Sequence, residues 1–357
     1  MPELSRATRI VHTAGPMPAV LDALGRPLRS LRVSVTDRCN LRCAYCMPEE
    51  EYRWIERDEI LHYGELSALV DAFCCLGVER VRITGGEPLV RRELERLIEQ
   101  LARREQVRDL ALTTNGLLLA EQAPRLAAAG LHRVTISLDT LDERVFERLT
   151  RRSGLPDVLR GIEAALQHWP GRVKLDTVVL RGSNDHEVEA LLEFARERGA
   201  ELRYVEYMDV GGATRWSMDA VVTRAELLAR LTRRFGPIEP VVEDSTAPAE
   251  RFRLPDGTVF GIIASTTAPF CRSCDRSRLT ADGIWYLCLY AHLGLDLKTL
   301  LRGGASTEEI AARIAGVWRA RADRGAEKRL AEHERGPLAN AAALRAEPHL
   351  EMHTRGG

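Results

Sequence analysis

Short β-type runs alternate with amphipathic helical segments between residues 31 and 210. Each run is rich in Val, Ile, Leu and Thr and ends in small or polar residues. Each is followed by a segment in which apolar residues recur every three or four positions, as on one face of a helix. The predicted strands are 31–35, 80–84, 110–114, 133–138, 173–180 and 202–207, and the helical segments include 63–76, 93–104, 158–168 and 187–198.

This alternation predicts an α/β fold built from parallel β/α units. Six units are too few for a closed eight-stranded barrel, so the candidates are an open partial (β/α)6 barrel and a doubly wound sheet. In both, ligands bind at the carboxyl ends of the strands. We expect an N-terminal lead-in at 1–27, the barrel at 28–210, and a C-terminal region at 211–357 that closes the barrel and contains a helix over 306–323.

The composition is typical of a globular protein without a strong net charge. Apolar residues make up 45% of the chain and charged residues 29%. Lys and Arg number 51 against 52 Asp and Glu, so the net charge of −1 gives no overall attraction to nucleic acid or anionic membrane. No apolar stretch approaches the roughly 20 residues of a membrane span, and the N-terminus lacks the apolar core of a signal peptide. We therefore expect a cytoplasmic protein with reduced thiols.

Six of the eight cysteines fall into two groups of three, while Cys74 and Cys75 lie on a helical pattern and are expected to pack in the core. The first group, Cys39, Cys43 and Cys46, has the spacing C-x3-C-x2-C directly after the first strand. Thiolates select zinc, copper(I) or iron–sulfur clusters, and structural zinc and ordinary four-iron clusters take four ligands. This loop supplies three. Either a distant ligand completes a zinc site, or a cluster keeps one iron open to another molecule.

The second group also has three members and no fourth cysteine nearby: Cys271, Cys274 and Cys288. His292 is the obvious rival as a fourth ligand. A zinc ribbon with an unrecognised ligand and a second open cluster both fit this spacing. Arg276 and Arg278 follow Cys274 directly, and guanidinium groups bind phosphates well. The pair therefore predicts a site for a phosphorylated substrate beside the second group.

An aromatic residue, Tyr45, precedes the last cysteine of the first group, and this motif resembles the radical S-adenosylmethionine (SAM) superfamily. The resemblance implies a [4Fe–4S] cluster whose open iron binds SAM. An electron from that cluster then cleaves SAM to methionine and a 5′-deoxyadenosyl radical. The turn Gly85-Gly86-Glu87-Pro88 after the second strand resembles the superfamily motif that contacts the amino group of SAM. Its two glycines let the backbone approach a ligand closely.

Further motifs resemble the GTP 3′,8-cyclases, a radical SAM family that begins molybdenum cofactor biosynthesis. They are LRVSVTDRC at 31–39, TGGEP at 84–88, TTNG at 113–116, SLD at 137–139, RYVEYMD at 203–209, FCRSCDRSR at 270–278 and the terminal Gly-Gly. The resemblance implies a radical SAM lyase with two [4Fe–4S] clusters. Its 5′-deoxyadenosyl radical removes hydrogen from ribose C3′ of GTP, and the carbon radical adds to guanine C8. The products are (8S)-3′,8-cyclo-7,8-dihydroguanosine 5′-triphosphate and 5′-deoxyadenosine.

The same resemblance implies a role for each candidate residue. The two cysteine groups hold the clusters, and the open iron of the second binds guanine. The residues that line the SAM site are Tyr45, Gly86, Ser137 and Met208. The residues that bind GTP are Arg32, Arg82, Thr113, Lys174, Arg276 and Arg278. The terminal residues, Gly356 and Gly357, reach into the active site and act in catalysis.

The implied partners are GTP, a reductant protein such as flavodoxin or ferredoxin, and cyclic pyranopterin monophosphate synthase, which receives the product. The family also allows a homodimer, and no nucleic acid or membrane is expected. Two other functions stay open. A peptide-modifying radical SAM enzyme would usually carry more cysteines after residue 270, and a non-catalytic iron–sulfur or zinc protein would have four-cysteine ligation.

Two features depart from the family pattern. Asp176 stands where relatives carry Asn, and strand alternation puts it on one face with Lys174 and Val178. Lys174 either forms a buried pair with Asp176 or points at the triphosphate while Asp176 tunes it. The stretch 350–355 before the terminal glycines is polar where the family is apolar.

Overall fold

The computed structural model describes residues 19–243 and 246–356, so most of the expected lead-in and Gly357 lie outside the described residues. The described residues form twelve strands and twelve α-helices. The strands are β1 Ser30–Ser34, β2 Arg80–Thr84, β3 Asp109–Thr114, β4 Arg133–Ser137, β5 Val173–Val179, β6 Glu201–Glu206, β7 Glu239–Val241, β8 Glu250–Arg253, β9 Val259–Ile263, β10 Arg276–Leu279, β11 Ile284–Tyr286 and β12 Leu295–Asp296. The helices are α1 Tyr63–Cys74, α2 Leu94–Ala102, α3 Leu119–Ala128, α4 Glu143–Thr150, α5 Leu155–His168, α6 Val188–Glu197, α7 Arg224–Phe235, α8 Leu297–Arg302, α9 Thr307–Arg319, α10 Gly325–Leu330, α11 Ala341–Ala346 and α12 Met352–Arg355. No helix within these ranges has the length and apolar surface needed for a membrane crossing.

Six consecutive β/α units form the centre of the sheet, as the sequence predicts. Strands β1 to β6 lie side by side in chain order and run parallel. Because every crossover advances in the same direction and parallel crossovers are right-handed, the helices cover one face. In a doubly wound sheet the strand order reverses and helices cover both faces. The fold is therefore the open partial barrel, and within the described residues the strand order runs from β12 to β7 without closing.

The C-terminal region adds strands on both sides of these units. β10 pairs parallel to β1, and β9 pairs parallel to β6, so eight parallel strands lie in a row. Beyond them, β11 and β12 continue antiparallel at one edge, and β8 and β7 do so at the other. The sequence pattern does not predict these added strands, because they are short and lie among loops. The expected domain boundaries after residues 27 and 210 stay a prediction.

Helix α9 joins the C-terminal region to the outer layer of helices. It begins with a capping box led by Ser306 and ends at Arg319, earlier than the predicted end at 323. It packs on α1. Trp318 stacks on Trp285 with ring centroids 6.3 Å apart, and Trp285 meets Phe73 of α1 at 5.5 Å. This buried aromatic stack ties β11 and α9 to the barrel.

The adjacent cysteines at the end of α1 have different environments. Cys74 is the last residue of the helix and is buried, whereas Cys75 is exposed. Cys75, the C-cap, keeps helical backbone angles, so its side chain points about 100° around the helix axis from that of Cys74 and away from the buried face. The expectation of core packing is confirmed for Cys74 and is wrong for Cys75.

Candidate active site

A cavity of about 570 Å³ runs along the inner face of the parallel strands. Its wall includes Arg80 and Lys174 near the amino ends of their strands, and Thr84 and Ser137 at the carboxyl ends. All six cysteines of the two groups line this cavity, and so do all ten residues expected to bind SAM or GTP. The fold thus brings the predicted site residues together, while the role of each stays a prediction.

The two cysteine groups lie toward opposite ends of the inner strand β1. The loop with Cys39, Cys43 and Cys46 follows the carboxyl end of β1. Cys274 comes just before β10, whose first residue, Arg276, is level with Ser30 at the start of β1. Parallel pairing therefore separates the groups along the strand direction, with the cavity between them.

The first cysteine loop gathers three partly buried thiols that influence one another. Burial and the neighbouring Glu87 raise the pKa of Cys39 to about 12. A hydrogen bond with Cys43 and burial raise the pKa of Cys46 well above its usual value. Such thiols ionise readily only when a cation binds them. The donor set therefore fits an iron–sulfur cluster.

The nearest histidine in sequence does not complete this group. His62 is exposed and accepts a hydrogen bond from the backbone N–H of Glu65 at the start of α1. In residues 19–243 and 246–356, no three His, Cys, Asp or Glu side chains are arranged to hold a single metal ion. A four-iron cluster makes no such demand, because each thiolate binds a different iron.

Tyr45 is held at the cavity wall by Asp139. This carboxylate belongs to the SLD motif at 137–139, but sequence analysis gave it no role. The Tyr45 hydroxyl donates to Asp139 Oδ2 at 2.7 Å, and Asp139 Oδ1 accepts from the backbone N–H of Val178 at 2.9 Å. Burial raises the pKa of Asp139 to about 6. Asp139 therefore fixes the ring of Tyr45 against β5 at the carboxyl end of the barrel.

The Gly85-Gly86 turn needs its glycines because it packs on the start of the cysteine loop. A Cβ on Gly86 would lie 2.6 Å from the carbonyl oxygen of Asp37 and would also meet the backbone of Arg38. Glu87, 1% exposed, accepts from Thr114 Oγ1 at 2.7 Å and joins the ends of β2 and β3. The turn thus fixes the position of the cysteine loop.

The second cysteine group lies in a positively charged environment. Burial raises the pKa of Cys271 and Cys288. Burial acts on Cys274 in the same sense, but Arg276 and Arg321 outweigh it and lower the pKa of Cys274. Cys274 is therefore the thiol of this group that ionises most readily. The rival ligand named above, His292, is exposed and does not line the cavity.

Seven of the eight Arg and Lys residues in the cavity wall fall into two sets. Four pair with carboxylates, in the pairs Arg80–Asp275, Arg133–Asp109, Lys174–Glu201 and Arg203–Asp176. Three others donate hydrogen bonds to groups other than carboxylates. Arg82 donates to the hydroxyls of Thr113 and Thr135, Arg276 to Cys274 Sγ at 3.8 Å, and Arg278 to the backbone carbonyl of Gly356.

Among the described residues, none of the three arginines in this second set forms an ion pair with a carboxylate. Burial, and then the like charge of Arg276, lower the pKa of Arg278 to about 9. Burial and nearby arginines also lower the pKa of Arg82 well below its usual value. Both residues thus lie where a bound anion would be stabilised.

Lys174 and Asp176 do not form the buried pair that sequence analysis considers. Both face the cavity with Val178, as the alternation predicts. However, Lys174 Nζ contacts Glu201 at 2.6 Å, and Asp176 accepts from Arg203 Nε at 2.6 Å. In the parallel register, Glu201 and Arg203 of β6 lie directly beside these two residues. The cross-strand partners are nearer than a residue two positions along the same strand, and they therefore determine the pairing.

The polar stretch before the terminal glycines is buried. Glu351, His353, Thr354 and Arg355 are each at most 5% exposed. Met352 and His353 line the cavity, and the carbonyl of Gly356 accepts a hydrogen bond from Arg278. A Cβ on Gly356 would overlap Thr84 Oγ1. The tail therefore packs into the site despite its unusual composition.

Asp209 is a second motif residue to which sequence analysis gave no role. It ends the RYVEYMD motif at 203–209. It is completely buried and accepts from Tyr290 at 2.9 Å and from Arg329 and Arg335 at 2.8 Å. These arginines outweigh burial and lower its pKa. Its position after β6, next to the predicted SAM-site residue Met208, is the sequence feature that could have identified Asp209. Asp209 connects that strand end to the loop after the second cysteine group.

Comparison with known families defines the class of the protein. Residues 33–195 match the model of the Radical SAM superfamily, and residues 200–327 match the model described as Molybdenum Cofactor Synthesis C. The crystal structure of Streptococcus suis SuiB bound to S-adenosylmethionine has a similar fold, with a TM-score of 0.59, 14% identity, and coverage of 88% of this chain and 76% of that one. The protein is thus a radical SAM protein with a molybdenum-cofactor-synthesis region at its C-terminus.

Individual relatives narrow the assignment to one family. GTP 3′,8-cyclase 3 of Mycobacterium bovis is 52% identical over 342 residues, which cover 95% of this chain and 90% of the relative. GTP 3′,8-cyclase 1 of Mycobacterium tuberculosis is 51% identical over 96% of both chains. The GTP 3′,8-cyclase of Acidothermus cellulolyticus is 46% identical over 87% of this chain and 88% of its own length. This chain belongs to the GTP 3′,8-cyclase family.

Proposed function

We infer that the protein is a GTP 3′,8-cyclase that works with SAM and [4Fe–4S] clusters in the first step of molybdenum cofactor biosynthesis. It converts GTP to (8S)-3′,8-cyclo-7,8-dihydroguanosine 5′-triphosphate. The observation that carries this inference is a cavity that joins two three-cysteine groups and is lined by arginines that form no ion pair with a carboxylate in residues 19–243 and 246–356. Family membership agrees with this geometry.

We propose that the first cysteine group holds one cluster at the carboxyl ends of the strands, with SAM beside Tyr45, Gly86, Ser137 and Met208. When bound, this cluster and SAM supply the 5′-deoxyadenosyl radical. The chain itself orients and encloses the reactants. The hydrogen bond from Tyr45 to Asp139 holds the aromatic ring at the wall, and the glycine turn packs against the start of the cysteine loop and fixes its position.

We propose that the second cysteine group holds the other cluster, with the guanine of GTP at its open iron. The ribose would then lie between the two groups, and the triphosphate along the arginines. Arg82, Arg276 and Arg278 suit that role because, within the described part of the chain, none of them forms an ion pair with a carboxylate and a bound anion could pair with all three. Lys174 keeps its carboxylate partner Glu201, so we expect it to contribute less.

The electron donor and the enzyme that receives the product are proposed from the chemistry of the reaction. A small reductant protein such as flavodoxin or ferredoxin would supply the electron, and cyclic pyranopterin monophosphate synthase would receive the product. The eight unbridged cysteines suit the reducing cytoplasm. We also propose residues 28–210 as the SAM-binding part, residues 211–357 as the part that completes the substrate site, and a homodimer as the assembly.

Anaerobic reconstitution followed by product analysis tests the function. The reconstituted protein is incubated with SAM, a reductant and each nucleoside triphosphate in turn. We expect about eight irons per chain, because the proposal assigns one four-iron cluster to each cysteine group, and cyclised product from GTP alone. Zinc without SAM cleavage would contradict the proposal in favour of a non-catalytic protein. SAM cleavage without a product from any nucleotide would favour a peptide-modifying enzyme.

Triphosphate recognition is tested by removing cations one at a time. Arg276→Ala or Arg278→Ala should weaken GTP binding about tenfold or more, since a charge-assisted hydrogen bond contributes roughly 1.5–3 kcal/mol. Lys174→Ala should weaken it less. The exposed Arg234, paired with Glu193, provides an Arg→Ala control that should leave binding unchanged. Equal affinity of the intact enzyme for guanosine and GTP would rule out an arginine-bound triphosphate.

A further inference from the structure

His353 lies in a cage formed by the loop that carries the first cysteine group. Its ring meets Tyr52 and Trp54 edge-on, with both centroid distances 5.3 Å. The guanidinium of Arg38 lies 4.8 Å from the Trp54 ring centroid, and that of Arg42 lies 5.3 Å from it. The His353 side chain is 3% exposed. The cage is therefore a built pocket, and a residue from the far end of the chain fills it.

The imidazole contributes packing rather than hydrogen bonds in this cage. Neither ring nitrogen has a hydrogen-bond partner. Burial, and then the positive charges of Arg42 and Arg38, lower the pKa of His353 to about 3. The ring is therefore neutral at working pH. Edge-to-face ring contacts add stability beyond the area they bury, so two such contacts fix the tail on this loop.

Three residues further on, the tail reaches the carboxyl end of β2 and an arginine of β10. Gly356 packs on Thr84 Oγ1, and its carbonyl accepts a hydrogen bond from Arg278. Arg355 donates to the backbone carbonyl of Leu289 at 2.6 Å, just after Cys288. The tail thus begins at the loop of the first cysteine group and ends at a cation beside the second group.

We propose that His353 is a positioning residue for GTP cyclisation, which anchors the C-terminal tail in the Tyr52–Trp54 cage so that Gly356 stays at Arg278. This inference rests on the proposed function. Through Arg278, the anchor sets the placement of the substrate relative to the radical. Without it, SAM is still cleaved at the first group, but the radical is formed beside a poorly placed substrate.

The test compares His353→Ala with His353→Phe in the reconstituted full-length enzyme. We expect His353→Ala to lower the ratio of cyclised product to 5′-deoxyadenosine at least tenfold and to speed amide hydrogen exchange over residues 350–356. His353→Phe keeps an aromatic ring in the cage and should restore most of the ratio and the protection. His333→Ala, at an exposed position, is the matched control and should change neither.

Several outcomes separate this inference from its alternatives. An unchanged ratio in His353→Ala, with normal cyclisation by the wild type, overturns the anchor. Equal losses of product and 5′-deoxyadenosine indicate a merely structural role and overturn it as well. If His353→Ala does not fold, Trp54→Leu removes the same contact from the other side and should give the same uncoupling. Absence of product from the wild type would instead contradict the proposed function.

Discussion

Cys43→Ala should abolish SAM cleavage, whereas Cys274→Ala should keep some cleavage and yield no cyclised product. Cys43 belongs to a loop with three thiols, and its loss leaves two ligands, too few to hold the first cluster. Cys274 lies toward the other end of β1, at the far end of the same cavity. Under the proposed assignment, its loss removes the anchor of the substrate and leaves the loop of the first cysteine group unchanged. The two variants should therefore differ in kind: one loses SAM cleavage, and the other loses only the cyclised product.

The measurement is 5′-deoxyadenosine and cyclised product from the same anaerobic reaction, with the iron content of each variant. Cys75→Ala provides a matched control, because Cys75 is exposed and does not line the cavity. It should retain both activities and the full iron content. Normal product formation by Cys274→Ala would show that the second group is not a substrate site.

Local patterns were sufficient to predict the central strands. β2 begins and ends at the predicted residues, and β5 begins at the predicted Val173. This agreement has a physical reason, since buried parallel strands are short apolar runs bounded by polar residues. The added strands β9 and β10 could not be predicted in the same way. Their place depends on pairing with β6 and β1, far away in sequence.

The site residues, too, divide into those that local sequence patterns predict and those whose contacts depend on long-range pairing. Cysteine spacing and the arginine pair are local, and they identified residues that the fold does bring to one cavity. The partners of Lys174 and Asp176 depend on the register of β5 with β6, which is set by long-range pairing. Likewise, no local pattern links His353 to a cage some 300 residues earlier, because the contact exists only after the tail has folded back.

Removing Gly356 and Gly357 should leave both clusters loaded and GTP bound, yet reduce cyclisation at least tenfold. Gly356 is the acceptor for Arg278, so its loss frees a buried guanidinium that is then no longer oriented toward the substrate. The deletion leaves all six cluster cysteines and the anchor at His353 in place. Gly357 lies outside the described residues, and its part in this prediction rests on the sequence.

Gly356→Ala also tests whether the contact between Gly356 and Arg278 is needed for cyclisation, and it keeps the full chain length. Gly356 has a φ of +71°, which is unfavourable for alanine, and an added Cβ would overlap Thr84 Oγ1. This variant should therefore displace the carbonyl from Arg278 and reproduce most of the loss. Product yield, iron content and GTP affinity are measured side by side on wild type, deletion and Gly356→Ala. Full activity of the truncated protein would show that the last residues are only a chain end, and that the buried stretch before them serves stability alone.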